Sequence, residues 1–173
     1  MKKLLLVGAT AALFLGACSE ENAAQETTAS STETTEKESN VKQELMRFYM
    51  SIPQEINAVD KDLNAFESAQ VEGTLPEGDD LEKMKEAAAA SANEAGTVVE
   101  GIEIPESLAD HQADIEGALA SIKESYSMKA EELSKDASFE AANEKFVQAD
   151  ETFNKLLEEQ GLAASSILNE VSN

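Results

Sequence analysis

The chain has 173 residues and a net charge of −22, with 35 acidic against 13 basic side chains. A surface so negative repels nucleic acid and anionic headgroups, so DNA or RNA binding is excluded as a function class. One cysteine leaves no internal disulfide, and one histidine leaves little for metal or imidazole chemistry.

Lys2 and Lys3 open the chain, a nearly unbroken apolar run follows from Leu4 to Leu15, and small residues lead into Cys18. The run is too short for a permanent membrane span and has no stop-transfer flank, so residues 1–17 read as an export signal. Leu15-Gly16-Ala17-Cys18 resembles the lipobox of bacterial lipoproteins. That resemblance implies cleavage before Cys18, a diacylglyceryl thioether with palmitate-type chains on Cys18, and anchoring at the outer side of the cell membrane. The membrane is then the first partner. Two or more acyl chains hold a protein durably where one does not. Loss of Lys2 and Lys3 with the signal brings the net charge to about −24.

Residues 18–40 comprise Cys18 and a Ser-, Thr- and Glu-rich stretch without apolar periodicity. Such a stretch cannot bury enough surface to fold, so it is expected to be a disordered tether. A flexible coil of that length reaches about 25 Å.

Helical periodicity begins at Val41, and residues 41–173 are expected to form the folded body. Val41, Leu45, Phe48, Ile52, Ile56, Val59, Leu63 and Phe66 recur at steps of three and four. The stripe stays in phase across Pro53, which predicts one kinked helix ending near Gln70 to Gly73. Asp79 and Glu82 form a capping-box-like start for a second helix. Its apolar face is slim, with Ala88, Ala92 and Ala95. Pro105 suits the first turn of a third helix carrying Leu108, His111, Ile115, Leu119, Ile122, Tyr126 and Leu133. A fourth helix, capped at Asp136 or Ser138, carries Phe139, Phe146, Phe153, Ile167 and Val171. Gly161 is expected to weaken this helix without breaking it. No segment alternates like a strand. The pattern predicts an all-α protein, an antiparallel up-down-up-down four-helix bundle, with an extended coiled-coil hairpin or dimer as its competitor.

His111 is the first residue to test for chemistry. Carboxylate-bridged di-iron bundles need Glu-x-x-His pairs, and position 108 is leucine. Haem ligation by His111 with Met46, Met50, Met84 or Met128 lacks a second histidine or an attachment motif. Histidine phosphotransfer motifs resemble a histidine with lysine three and glycine four positions on, where this chain has Asp114 and Ile115. His111 therefore reads as a partly packed residue at the bundle rim. Pairing with Asp110 or Asp114 is a poor metal signal. Glu77-Gly78-Asp79-Asp80 lacks the ligand pattern of a calcium loop, and no serine sits in a nucleophile elbow. The expectation is a non-enzymatic protein without catalytic, cofactor or metal residues, Cys18 being the one modified position.

The lipobox, the acidic tether and the alanine-rich helices look like those of small helical lipoproteins of Gram-positive bacteria, for which no activity is established. Ile104-Pro105-Glu106-Ser107-Leu108-Ala109-Asp110-His111 before a long helix is similar to a segment recurring in them. The expected function is that of an extracytoplasmic binding or interaction module of the cell envelope, with an envelope protein or cell-wall component as partner. Two alternatives stand beside it. One is a small-ligand or metal carrier using the interior near His111, Tyr126 and the methionines. The other is a passive acidic spacer or stress-related envelope protein.

Overall fold

Among the described residues the three- and four-residue apolar steps become six α-helices: α1 (Thr27–Ile56), α2 (Lys61–Glu72), α3 (Asp79–Glu100), α4 (Gln112–Glu132), α5 (Glu140–Glu159) and α6 (Ile167–Val171), with a 3₁₀ turn over Glu106–His111 before α4. The computed structural model describes the backbone of residues 27–172 and the side chains of residues 39–172. The expected signal, Cys18 and the tether up to residue 26 lie outside the described residues. Among the described residues there is no strand, and no helix is long and apolar enough to cross a membrane. The architecture is all-α.

The backbone from Thr27 to Asn40, expected to be tether, is helical and continuous with the rest of α1. Once the packed part of a helix exists, each added residue avoids the nucleation cost.

A second departure lies after Pro53, which is inside α1. Instead of one kinked helix, the chain breaks at Asn57–Asp60 and restarts as α2. The Ile56 carbonyl accepts from both Val59 N (3.0 Å) and Asp60 N (3.1 Å), a tightened final turn. Asn57, Val59 and Asp60 are weak helix formers. The break lets Leu45, Ile52 and Ile56 on α1 and Leu63 and Phe66 on α2 all reach the core. Helix α2 ends at Gly73 (φ +68), where Thr74 N bonds the Ala69 carbonyl at 2.9 Å.

Helix α3 starts from Gly78, not from an Asp79 side-chain cap. Its buried face is mostly small, with Ala88, Ala92 and Ala95 fully covered beside Ser91, Gly96 and Val99. The small face lets α4 approach closely: a Cβ built on Gly96 would stand 3.8 Å from Tyr126 Cβ. Helix α4 packs most extensively on α3 and α5. Its core stripe is Ile115, Ala118, Ile122 and Tyr126, and Tyr126 meets Phe146 of α5 edge-on at 5.8 Å.

Gly161 does break the fourth predicted helix. Its φ of +64 allows Leu162 N to bond Leu157 O (2.8 Å) and Gly161 N to bond Glu158 O (2.9 Å). That paired closure is the Schellman arrangement, completed by Leu162 packing on the core. The chain then returns as α6, held by the buried Asp150 carboxylate. Asp150 accepts from Ser166 Oγ (2.7 Å) and Ile167 N (2.8 Å), while Asn57 Nδ2 donates to Glu170 O (3.1 Å).

Candidate functional site

A concavity of about 890 Å³ lies where the end of α3, the segment Ile102–Glu106 and the first turns of α4 meet. The segment is shaped by Pro105, whose φ of −58 and ψ of 140 keep it extended before the 3₁₀ turn. Leu108, fully buried, pins that turn to the core. Val99, Ile102, Ile104 and Leu119 make an apolar floor; Glu100, Glu103, Glu106 and Glu116 line the groove beside them. Lys123 is its one lining cation, and Glu100 holds it at 2.9 Å, tying α4 to α3. Gln112 donates to Glu116 at 2.7 Å. An apolar floor with a few convergent charged groups is the usual character of a binding pocket, and this volume lies within the usual range.

A smaller groove of about 410 Å³ runs between α1, α5 and the segment before α6. Met46, Tyr49, Met50 and Pro53 form one wall, Leu157 and Ala163–Ser165 the other.

The third feature is internal. Lys129 (3 % exposed) donates to Glu67 at 2.7 Å and lies 5.7 Å from the Phe139 ring centre. Asp60, 1 % exposed, begins α2 close by, and neither carboxyl oxygen reaches normal hydrogen-bonding geometry. Asn64, Lys129 and Glu67 are still near enough to bias its charge. Burial pushes the Asp60 carboxyl up to about 6; Asn64, its own amide and Lys129 pull the other way, and Glu67 adds to the rise. Burial likewise raises the Tyr126 phenol, with Asp60 and Glu67 adding to the shift. None of these side chains lines either groove.

The residues singled out in sequence do not converge. His111 sits half-buried at the junction of the 3₁₀ turn and α4. Tyr126 lies about four turns further along the helix, inside the core. Met46 and Met50 belong to the second groove, whereas Met84 on α3 and Met128 on α4 are half-buried elsewhere. Among the described residues, no three His, Cys, Asp or Glu side chains are grouped to hold a metal ion. Cys18 lies outside the described residues.

Sequence reading missed the groove itself. Ile102 is placed by its spacing on the apolar face of the second helix, whereas here it follows the end of α3 at Glu100 and lines the groove. Asp60 was hidden beside the apolar stripe, one position after Val59. Against known proteins, the chain matches no family model, no curated protein and no solved structure.

Proposed function

We propose that this chain is an extracytoplasmic lipoprotein of the Gram-positive type, anchored through Cys18, whose helical body binds another component of the cell envelope. In this reading α1 with α2, then α3, α4 and α5, are the four arms of an antiparallel up-down-up-down bundle, and α6 closes its end. The short connections and the packing of α4 against both α3 and α5 support that arrangement. Leu15-Gly16-Ala17-Cys18, behind two lysines and an apolar run, supports the anchor.

The observation that carries the binding role is the groove at Ile102–Glu106. A packed bundle has no structural need for a cleft of this size, and its partly exposed Ile102 and Ile104 rimmed by acidic groups are the kind of surface that marks an interaction site. No chemistry is assigned to it: the protein acts by binding, not by catalysis.

The test is photo-crosslinking in the producing cell. Ala120 is exposed and lines the groove, so a photoreactive residue placed there is expected to capture a discrete envelope partner. The same residue at Glu94, exposed on α3 outside the groove, is expected to capture none. Identical capture patterns at both positions would overturn the reading.

A further inference from the structure

We infer that the groove takes a basic segment of a partner polypeptide in which apolar side chains alternate with lysine or arginine, an inference that rests on the groove being the binding site. Its chemistry has two parts. On the floor, the half-buried Ile102 and Ile104 offer apolar surface whose burial favours association by about 25 cal/mol per Å², while Val99 and Leu119 are already covered by the core. The acidic side chains set the sign of the partner. Lys123 is already engaged by Glu100, and Glu116 accepts from Gln112. Glu103 and Glu106 are exposed and take part in no ion pair among the described residues.

A neutral apolar ligand would leave those carboxylates unanswered, and an anion would meet both them and a chain of net charge −22. A basic segment answers them while its apolar residues cover the floor. Complementary charge of this kind raises the rate of encounter and fixes register, and the floor supplies the contact area. The cleft is partly open to solvent and is built from three successive pieces of chain. That form suits an extended polypeptide better than an enclosed small molecule.

The experiment is fluorescence anisotropy with the full chain and a labelled short peptide of alternating Lys and Leu, at physiological ionic strength. Saturable binding is expected. Glu103→Lys/Glu106→Lys should weaken it by about tenfold or more. The control Glu72→Lys/Glu94→Lys changes the net charge equally but outside the groove, and should weaken binding less than about threefold. A peptide with Ser in place of Leu should lose about as much as the groove variant, because the floor is then unused. Equal weakening by both charge-reversed proteins would show attraction to net charge alone and overturn the inference. So would full binding of the Ser peptide, or no binding at all. If the Lys–Leu peptide fails while Ala120 still captures a partner in cells, the basic occupant is wrong and the groove remains the site. If both fail, the groove reading falls as well.

Discussion

Lys129 Nζ lies 2.7 Å from Glu67 Oε1, joining α4 to α2 across the interior with only 4 % of the lysine side chain exposed. The ammonium also stands 5.9 Å from the Tyr126 ring centre and 5.7 Å from that of Phe139. Two charges removed from water repay their desolvation only while both are present. Lys129→Met is therefore expected to cost about 3 kcal/mol, because Glu67 is left without its partner. Lys129→Met/Glu67→Leu is expected to return to within about 1 kcal/mol of the parent. Urea unfolding followed by circular dichroism separates the two cases. A double variant as unstable as the single one would mean that the pair itself contributes net stability.

Asp60 makes folding depend on pH. Its carboxyl is raised from 3.8 to about 6 in the folded protein, first by burial. The folded state thus binds this proton more tightly than the unfolded state. Stability from Asp60 is greatest below about pH 4 and falls as pH rises through about 6. Asp60→Asn removes that slope. The melting temperature of the variant relative to the parent should be highest above pH 7 and should decline toward pH 4. A difference that is constant across this window would contradict burial as the dominant influence on this carboxyl.

Two glycines should respond in opposite directions. A Cβ at Gly117, in the middle of α4, meets nothing within 4 Å, so Gly117→Ala should stabilise by about 0.5–1 kcal/mol through helix propensity. Gly73 also has open space around it, but its φ of +68 is strained for any side chain. Gly73→Ala should cost about 1 kcal/mol. Thermal unfolding of the two variants is sufficient, and a shift of the same sign in both would refute the assigned backbone at Gly73.

Helix α6 is too short to hold itself. Asp150 supplies what it lacks, accepting from Ser166 Oγ, Ile167 N and, at 3.4 Å, Leu168 N. Asp150→Ala leaves those donors unanswered and is expected to destabilise by about 1–3 kcal/mol. Hydrogen exchange should accelerate first at Ile167–Val171, ahead of α4. Uniform acceleration over the whole chain would show that α6 is not a separately held strap.

Core positions were the legible part of this fold, because burial imposes its period directly on the residues. Ile115, Ile122 and Tyr126, or Phe146 and Phe153, are spaced as a helix must space them, and all are buried. The breaks were not legible. At Asn57–Asp60 the apolar stripe stays in phase, so nothing in the spacing announces that α2 restarts. At Gly161 the outcome depends on whether Leu162 finds a core to pack against, which is a tertiary fact. The polar interior was not legible: Lys129 and Glu67 are 62 positions apart and are brought together only by the topology. The groove combines a helix end, an extended segment and another helix start, and no local pattern describes such a junction.

An anchored binding module requires, before anything else, that Cys18 carry lipid. The most direct measurement is the intact mass of the full protein recovered from the membrane of the cells that make it, alongside Cys18→Ser. The account predicts a chain beginning at Cys18 and heavier than its residues by a diacylglyceryl group or more, with the Cys18→Ser chain unprocessed and carrying no lipid. A chain beginning at Met1 with a free Cys18 thiol would contradict it.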